Sequence, residues 1–501
     1  MTDRYVVVLD AGASSARCLV FDHRAQIVAS RSTGWSYLSD HEASPYAREF
    51  DPQALWTEFC RLIMGSLKDA GASPRLVAAL TATGQRQGVV FLDAAGHELY
   101  AGPNIDLRAV FEGGQIDERL GDRVYRTTGH TPSFLLAPAK LRWFQLNHPE
   151  VYDKIASVLT LADWLAFKLS GVLFSEPTLA GEAGLLDIHR RTWCADLLDE
   201  LGIVGNSHVP LVSAGTSVGV LGEQASRETG LPAGTPVAVS GADTQCGLLG
   251  MGVTQERQVG IVAGWSVPLQ MVAQPPTLSR IDGIWAGLHL FPEKWVLESS
   301  AGDAGNSYRW MADTFWGSSA DAYSEMEMMA QAVPAGSEGM QVFLGPSRMD
   351  MSRLRMRQGG FLFPMPLTFS EVGRGHLARA ALEAIAYTVR ANLEQAQDIA
   401  GEEARDVAVG GSMVQTATWV NILADVVGRP MMLSPTPQVS ALGAYLCAAT
   451  ALGEFASLEE AAEGISGTLK AVEPDPKGSA EYQDLYERWL RLSVQLDDVD
   501  Q

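Results

Sequence analysis

One short pattern occurs twice in this 501-residue chain, and it constrains the fold more than any other feature. An apolar strand, a Gly/Ser turn and a second apolar strand follow one another in VVVLDAGASSARCLVFD (Val6–Asp22) and again in VGIVAGWSVPLQMV (Val259–Val272), about half the chain later. Because a single core stops growing at roughly 250 to 300 residues, the repeat predicts two similar domains, each opening with a hairpin that can approach a ligand. The alternative is that any two Gly/Ser turns between strands look alike, and the repeat alone does not decide between these readings.

Strands and helices alternate along the rest of the chain, which predicts the α/β class. Three antiparallel strands are expected over Val6–Leu9, Cys18–Phe21 and Ile27–Ala29. Helical patterns cover Pro52–Ala70, Pro138–Gln145, Asp163–Leu169, Arg374–Ala400, Trp419–Val427 and Ala441–Leu452. A hinge near residues 250–258 would divide the chain into domains 1–250 and 251–501, the second ending in a charged helical extension after residue 474.

Composition limits the partners and the compartment. The formal charge of −22 argues against nucleic acid as a ligand, because a polyanion binder needs a basic face; solubility is the simpler reading of this charge than an acidic binding role. The five cysteines have no CxxC spacing, which suggests neither a disulfide framework nor a zinc site. No apolar run reaches the roughly 18 residues that span a bilayer, and no signal peptide is evident, so a cytoplasmic protein without membrane contact is expected.

The first turn carries groups that suit a phosphate. Backbone N–H groups near Gly12 can approach an anion closely, while Ser14 and Ser15 add hydroxyl donors and Arg17 adds a positive charge. Asp10 at the end of the strand would repel a bare phosphate, but it fits a divalent cation lying between carboxylate and phosphate oxygens. The hairpin therefore predicts a site for a metal-bound phosphate.

A second acid lies in a glycine-rich turn, SGADTQCGLLGMG (Ser240–Gly252). Asp243 in this turn could accept a proton from a hydroxyl group that attacks a phosphoryl group. The alternative is a helix N-cap, where Asp is a favoured residue.

Two further segments are polar loops next to predicted strands. Ala79–Ala109 contains amides, an acid and guanidinium groups of the kind that bind a polyhydroxylated ligand, although loop polarity alone would also explain them. Val407–Met431 reads as a strand, a Gly-Gly-Ser loop and a helix, which permits close backbone approach to a base or a phosphate.

Taken in order from about Tyr5 to about Gly453, these segments resemble the FGGY carbohydrate kinases, the sugar-kinase branch of the superfamily that includes actin, hexokinase and the heat-shock chaperone ATPases. The resemblance implies two ribonuclease H-like domains of the actin/hexokinase type around a central cleft. ATP, Mg²⁺ and a sugar or polyol would be the ligands. Domain 1–250 would hold the sugar site, the first phosphate loop and the catalytic acid, and domain 251–501 would bind ATP.

The resemblance also assigns the residues that bind ATP and Mg²⁺. These are Asp10, Gly12, Ser14, Ser15, Arg17, Gly264, Ser266, Gly410, Gly411 and Gln415. Asp10 would assist the metal. This sequence departs from the family pattern at Trp265, where Thr is usual in the second phosphate loop, and at Gln415, where Lys is common in the adenosine loop.

The family's Gly-x-Asp pattern falls on Gly241 and Asp243, which implies that Asp243 is the catalytic base. The residues that the resemblance assigns to substrate binding are Gln85, Arg86, Gln87, Asp106, Arg108 and Asp243. Pentulose kinases typically have Gln-Met-His-Gly and Trp-x-Asp-x-Arg at these two loops. Here the loops read GQRQG and NIDLR, with Asn104 in place of the Trp.

The implied function is ATP-dependent phosphorylation of a hydroxyl group on a small sugar, a pentulose-like ketose or a polyol. GQRQG and NIDLR, with VYRTTGHT (Val124–Thr131) downstream, are similar to autoinducer kinases, which act on an open-chain hydroxyketone signal, and this is the first alternative. A kinase-like sensor that binds sugar or nucleotide without turnover is the second, suggested by Trp265. A chaperone-type ATPase is disfavoured because no peptide-binding module follows the second domain. The oligomeric state stays open, with a homodimer as one alternative.

Overall fold

The computed structural model describes residues 4–39, 45–203, 209–276, 278, 283–317, 321–345, 347–351, 358–365 and 372–498. The chain divides into two compact units. Unit 1 comprises Met1–Thr254, Gln274–Val296 and Val439–Ile465, and unit 2 comprises Gln255–Ala273, Leu297–Gln438 and Ser466–Gln501. Gln274–Val296 and Val439–Ile465 belong to the predicted domain 251–501 but lie in unit 1, so the chain crosses between the units more than once.

Unit 1 is built on a six-stranded sheet in the order β10-β11-β4-β1-β2-β3. Its strands are β1 (Tyr5–Ala11), β2 (Ser15–Asp22), β3 (Ile27–Gly34), β4 (Val77–Gly84), β10 (Ser217–Val220) and β11 (Pro236–Ala242). Strands β1, β2 and β3 are antiparallel neighbours, as the sequence predicts, whereas β4 runs parallel to β1 and β11 runs parallel to β4. Smaller strands of this unit are β5 (Val89–Leu92), β6 (Glu98–Gly102), β7 (Ser157–Thr160), β8 (Leu186–Asp187), β9 (Thr192–Trp193) and β14 (Trp285–Leu288).

Helices cover both faces of this sheet. The helices of unit 1 are α1 (Pro52–Asp69), α2 (Val110–Thr128), α3 (Ala137–Asn147), α4 (Pro149–Tyr152), α5 (Leu161–Ser170), α6 (Pro177–Glu182), α7 (Ala195–Glu200), α8 (Glu223–Thr229), α9 (Asp243–Gly250), α14 (Val439–Ala451) and α15 (Leu458–Ser466). Alternate residues of β1 enter two different cores: Val7 and Leu9 pack in the core that contains α1, and Val6 and Val8 pack in the core that contains α14. A strand that is buried on both faces reads as a continuous apolar run, which is the pattern at the start of this sequence.

Unit 2 has a sheet in the order β15-β13-β12-β18-β19-β20. These strands are β12 (Gln258–Val262), β13 (Pro268–Ala273), β15 (Trp295–Ser300), β18 (Asp406–Gly410), β19 (Met431–Leu433) and β20 (Lys470–Val472). A separate pair is formed by β16 (Gln341–Phe343) and β17 (Gly360–Leu362). The helices are α10 (Ala304–Phe315), α11 (Ala322–Gln331), α12 (Arg374–Ala400), α13 (Ala417–Val427) and α16 (Pro476–Asp498).

The two sheets share a strand order, and this confirms the internal repeat. The order β3-β2-β1-β4-β11 of unit 1 corresponds to β15-β13-β12-β18-β19 of unit 2. In both sheets an antiparallel hairpin, β1–β2 or β12–β13, is followed across the sheet by two parallel strands. Among the described residues, no helix is long and apolar enough to cross a membrane.

Candidate active site

Three parallel strands of unit 1 end side by side, and this brings predicted site residues together. The last residues of β1, β4 and β11, which are Ala11, Gly84 and Ala242, are in register. The carboxyl ends of parallel strands form the edge at which α/β sheets bind ligands. Asp10 and Asp243 each adjoin this row, and the polar loop after β4 begins at it.

Asp10 is a buried carboxylate whose Oδ2 forms an ion pair and whose Oδ1 contacts no donor among the described residues. It pairs with Arg17 across the hairpin, and its Oδ2 lies 2.6 Å from the Nη2 of Arg17. Within the described ranges, no group donates a hydrogen bond to Oδ1 of Asp10. Burial raises the pKa of Asp10 above its usual value, and the charge of Arg17 lowers it in part. A buried oxygen in this state fits a hydrated divalent cation, because the cation's water would supply the missing donor.

Two side chains from elsewhere in unit 1 donate hydrogen bonds to the turn beside Asp10. The carbonyl oxygen of Gly12 accepts from Trp35 Nε1 at 2.9 Å and from Gln85 Nε2 at 3.2 Å. A Cβ at Gly12 would lie 3.4 Å from the Asp10 and Arg17 side chains. Glycine therefore leaves the space in front of the ion pair clear, while the neighbouring Ser14 is exposed and Ser15 is half-buried.

Asp243 is the first residue of α9, and its side chain is partly exposed. Its Oδ1 accepts the N–H of Thr244 at 2.8 Å. The N-cap position belongs to the residue before it, and among the described residues no side chain caps this helix. Burial raises the pKa of Asp243 to about 7; the charge of Arg86 opposes this shift, and the charge of Asp10 adds to it. A carboxyl group that titrates near neutral pH and reaches solvent can serve as a general base.

Glu182, the last residue of α6, is the centre of a buried polar cluster. Its Oε2 accepts from Arg86 Nη1 at 3.2 Å and from Gln87 Nε2 at 3.3 Å, and it lies 3.1 Å from His130 Nε2. Its Oε1 accepts from Gln245 Nε2 at 2.8 Å. Burial by itself would raise the pKa of Glu182. The charges of Arg86 and His130 lower the pKa by more than burial raises it, so the net pKa is well below the usual value.

Gln85 is buried and its amide is bonded at both ends. Besides its bond to the first turn, its Oε1 accepts the N–H of Asn104 at 2.7 Å. Gln85 thus joins the first hairpin to the NIDLR loop. In the described structure, Oδ1 of Asn104 is buried without a hydrogen-bond partner, so it is available to a ligand hydroxyl group.

Asp106 and Arg108 lie in a dense buried network. Oδ2 of Asp106 accepts from Tyr100 and from Arg108 Nε at 2.7 Å, and Arg108 Nη2 lies 2.8 Å from Glu49 Oε2. The guanidinium carbon of Arg108 is 4.5 Å from the ring centroid of Tyr100. These partners fix the loop, and the role of the two residues in substrate binding stays a prediction.

In unit 2 the second hairpin turn and the predicted adenosine loop adjoin each other. Val262 at the end of β12 pairs with Gly410 at the end of β18. Gly411 has φ of 102°, and a Cβ there would lie 2.3 Å from the carbonyl oxygen of Ala263, so only glycine fits. The N–H of Gly264 donates to the carbonyl oxygen of Ser266 at 3.0 Å. Gln415 is exposed at the end of a short 3₁₀ helix.

Sequence reasoning missed the cluster around Glu182. His130 occurs in the VYRTTGHT segment that was compared with autoinducer kinases, but no local pattern connects it to Glu182, Gln245 or Trp285. Trp285 completes the cluster, because its ring centroid is 5.6 Å from the guanidinium carbon of Arg86 and 5.3 Å from the centroid of the His130 ring.

The sequence matches the N-terminal domain of the FGGY family of carbohydrate kinases over residues 5–250 and the C-terminal domain of that family over residues 261–452. The protein belongs to this family. The resemblance described from the motifs is thereby confirmed, and so is the two-domain α/β fold of the actin/hexokinase type.

Relatives of this FGGY kinase include the autoinducer-2 kinases of Escherichia coli (strain K12) and Salmonella typhimurium (strain LT2). Each is 30% identical to it, over 97% of this chain and 93% of the relative. The xylulose kinase from Rhodospirillum rubrum is a similar solved structure, with a TM-score of 0.83, 25% identity and coverage of 99% of both chains. The Plasmodium falciparum glycerol kinase structure with ADP has a TM-score of 0.82 at 18% identity and covers 98% of both chains, which shows a shared fold. This FGGY family member is a carbohydrate kinase, and its family implies the use of ATP.

Proposed function

We propose that this FGGY kinase transfers the γ-phosphoryl group of ATP to a hydroxyl group of a ketose or a polyol, with Asp243 as the general base. The hydroxyl proton moves to the carboxylate of Asp243, the hydroxyl oxygen forms a bond to the γ-phosphorus, and the bond from that phosphorus to the oxygen of the leaving ADP breaks. The observation that carries the proposal is the position of Asp243: it is partly exposed, it follows the row where three strands end, and its pKa is raised to about 7.

The first hairpin suits a divalent cation and phosphate oxygens. Asp10 would hold Mg²⁺ through water, because its Oδ1 is buried and lacks a donor among the described residues. Arg17 and the hydroxyl groups of Ser14 and Ser15 would bind phosphate oxygens. When bound, Mg²⁺ supplies positive charge that stabilises the charge developing on the transferred phosphoryl group.

Unit 2 would bind the nucleotide. Gly264 and Ser266 lie on a turn whose backbone can approach a phosphate, and the neighbouring loop begins with two residues that have no side chain, Gly410 and Gly411. Gln415 is exposed at the end of this loop, where it is accessible to the adenosine.

The acceptor is proposed to be a small neutral polyhydroxy compound. Arg86 and Gln87 begin the polar loop beside Asp243, and an amide and a guanidinium group bind hydroxyl and carbonyl oxygens. A ketose of pentulose size agrees with the similarity to xylulose kinase structures. The open-chain hydroxyketone autoinducer-2 is the second candidate, and the 30% identity to autoinducer-2 kinases over 97% of the chain favours its inclusion.

The test is an ADP-release assay with Mg-ATP and a panel of ketopentoses, ketohexoses, tetritols, glycerol and phosphorylation-competent autoinducer-2. One acceptor that raises ADP release well above the rate measured without any acceptor would support the proposal. Mass spectrometry would then locate the added phosphate. Asp243→Asn serves as the control for contaminating ATPase activity. ATP binding without stimulation by any member of the panel would contradict the proposed acceptor class.

A further inference from the structure

Glu182 is saturated with hydrogen-bond donors although it is almost fully buried, with 2% of its surface exposed. It binds the side chains of two predicted substrate-binding residues, Arg86 and Gln87, and also those of His130 and Gln245. A buried carboxylate is tolerated only when it is paired and fully hydrogen-bonded. Arg86, Gln87 and Gln245 donate to both carboxylate oxygens and meet that condition without His130, so Glu182 is ionised.

Both ring nitrogens of His130 face groups that can only accept. Nε2 lies 3.1 Å from Oε2 of Glu182, and Nδ1 lies 2.7 Å from the backbone carbonyl oxygen of Thr128. An ionised carboxylate and a carbonyl have no proton to donate, so each ring nitrogen must carry a hydrogen. His130, with 1% of its surface exposed, is therefore an imidazolium.

The charged groups around this imidazolium form a triad. Glu182 supplies a negative charge, and Arg86 supplies a second positive charge at the same carboxylate oxygen. Trp285 packs against both cations. If Glu182 lost its charge, Arg86 and His130 would lose the counter-charge that they share and would repel each other.

Arg86 connects this triad to Asp243, the proposed general base. Its charge acts on Asp243 and opposes the rise of that residue's pKa. Gln87, which follows it, has φ of 62°, a conformation that non-glycine residues rarely adopt. Its amide binds Glu182, and its carbonyl oxygen accepts from buried Lys140 Nζ at 3.0 Å. Bonds at both ends of Gln87 therefore hold the loop in its conformation.

We infer that Glu182 and His130 form a buried carboxylate–imidazolium pair that positions Arg86 and Gln87 for the acceptor. The role of the pair toward the acceptor rests on the proposed function, whereas its ionic state does not. Glu182 and His130 are positioning residues, because they act through the two residues of the loop.

The kinetic test compares Glu182→Gln with Glu383→Gln. Glu383 is a matched control in unit 2: it is also 2% exposed, and it accepts from Arg379, Tyr482, Ser337 and the N–H of Gly336. Since a misplacement of about 1 Å can cost about 10²-fold, Glu182→Gln should lower kcat/KM for the acceptor by about 10²-fold, with most of the change in the KM for the acceptor and the KM for ATP nearly unchanged. Equal losses in the two variants at equal changes of Tm would overturn the positioning role.

The second test observes His130 directly in the full chain without any acceptor. With ¹⁵N-histidine labelling and His130→Gln to assign the signal, both ring nitrogens of His130 should be protonated at pH 7. Glu182→Gln should convert the ring to the neutral form, because burial and Arg86 both lower the pKa of His130. A neutral ring in the unsubstituted protein would overturn the ion pair. If no acceptor were phosphorylated in the assay, that result would count against the proposed function. The protonation state of His130 would still decide whether the Glu182–His130 ion pair exists.

Discussion

The hydroxyl oxygen of Thr178 accepts a hydrogen bond from the backbone N–H of Ala242 at 3.1 Å, immediately before Asp243. The same hydroxyl donates to Oε2 of Glu176 at 2.5 Å. Glu176 is the N-cap residue of α6 and also accepts the backbone N–H groups of Thr178 and Leu179. A buried series of carboxyl, hydroxyl and amide groups thus connects the start of α6 to the turn that presents Asp243.

Thr178→Val should lower both the free energy of unfolding and kcat. The substitution keeps the shape but leaves the N–H of Ala242 and the Glu176 carboxyl group without this partner, which costs about 1 to 3 kcal/mol of unfolding free energy. Since Ala242 adjoins Asp243, kcat should also fall. Thr178→Ser retains the hydroxyl group and should restore kcat. Urea unfolding and steady-state kinetics of both variants check this; equal kcat values for the Val and Ser variants would contradict it.

Asp243→Asn should lower kcat by about 10² to 10⁴, the usual contribution of a general base. The amide cannot accept the hydroxyl proton, but it has the same shape and can still accept the N–H of Thr244. Acceptor and ATP affinity, measured by calorimetry, should therefore change little. Turnover near that of the unsubstituted protein would remove Asp243 from the proposed mechanism.

The pH dependence of kcat/KM should follow the ionisation of Asp243. Burial raises its pKa to about 7 from 3.8, so kcat/KM should increase with pH through about 7 and level off above it. The free energy of unfolding depends on pH in the opposite direction. The folded protein favours the protonated form of Asp243, and the stability that this form contributes is lost as the pH rises through the folded pKa of about 7. Asp243→Asn should accordingly raise Tm relative to the unsubstituted protein at pH 8 and change it less at pH 4. A Tm difference independent of pH would contradict the raised pKa.

The parts of the fold that depend on neighbouring residues could be predicted from the sequence. The three-stranded meander and the helix Arg374–Ala400 follow from local periodicity, and the helix at Pro52 begins where Asp51 caps it by accepting the N–H of Ala54. No local sequence pattern predicts that α14, which follows strand β19 of unit 2, belongs to unit 1. This helix is apolar on most of its surface and packs in the core behind β1, which only the folded chain reveals.

The candidate site divides in the same way. The residues of the first turn are adjacent in sequence, and β1–β2 pairing brings Asp10 to Arg17. By contrast, Arg86, Gln87, His130 and Gln245 lie between 52 and 96 positions from Glu182, so no spacing could reveal that they share it. Sequence patterns therefore predict groups that would act on the ligands, whereas the carboxylate that binds several of these groups is found only in the structure.

Asp10→Asn should weaken activation by Mg²⁺. The substitution removes the charge of a buried oxygen that has no donor in the described structure, and the Mg²⁺ concentration for half-maximal activity should rise about tenfold or more. Asp22→Asn is the matched control: Asp22 ends the same hairpin, and it accepts the backbone N–H groups of Arg24 and Gln26. Equal Mg²⁺ requirements in the two variants would contradict the role of Asp10.

Trp265→Thr should strengthen ATP binding without changing the fold. The side chain of Trp265 is 39% exposed, and the turn is shaped by backbone contacts: the carbonyl oxygen of Trp265 accepts the N–H of Asn306 at 3.1 Å, and a Cβ at Gly305 would lie 2.0 Å from the carbonyl oxygen of Gly264. A threonine would add a hydroxyl donor near the phosphates, and a hydrogen bond worth about 0.5 to 1.5 kcal/mol would lower the KM for ATP about 2- to 10-fold. Trp310→Thr is the control, since Trp310 is another exposed tryptophan of unit 2 at 49%. A rise in the KM for ATP in the Trp265 variant alone would instead show that the indole ring contacts the nucleotide.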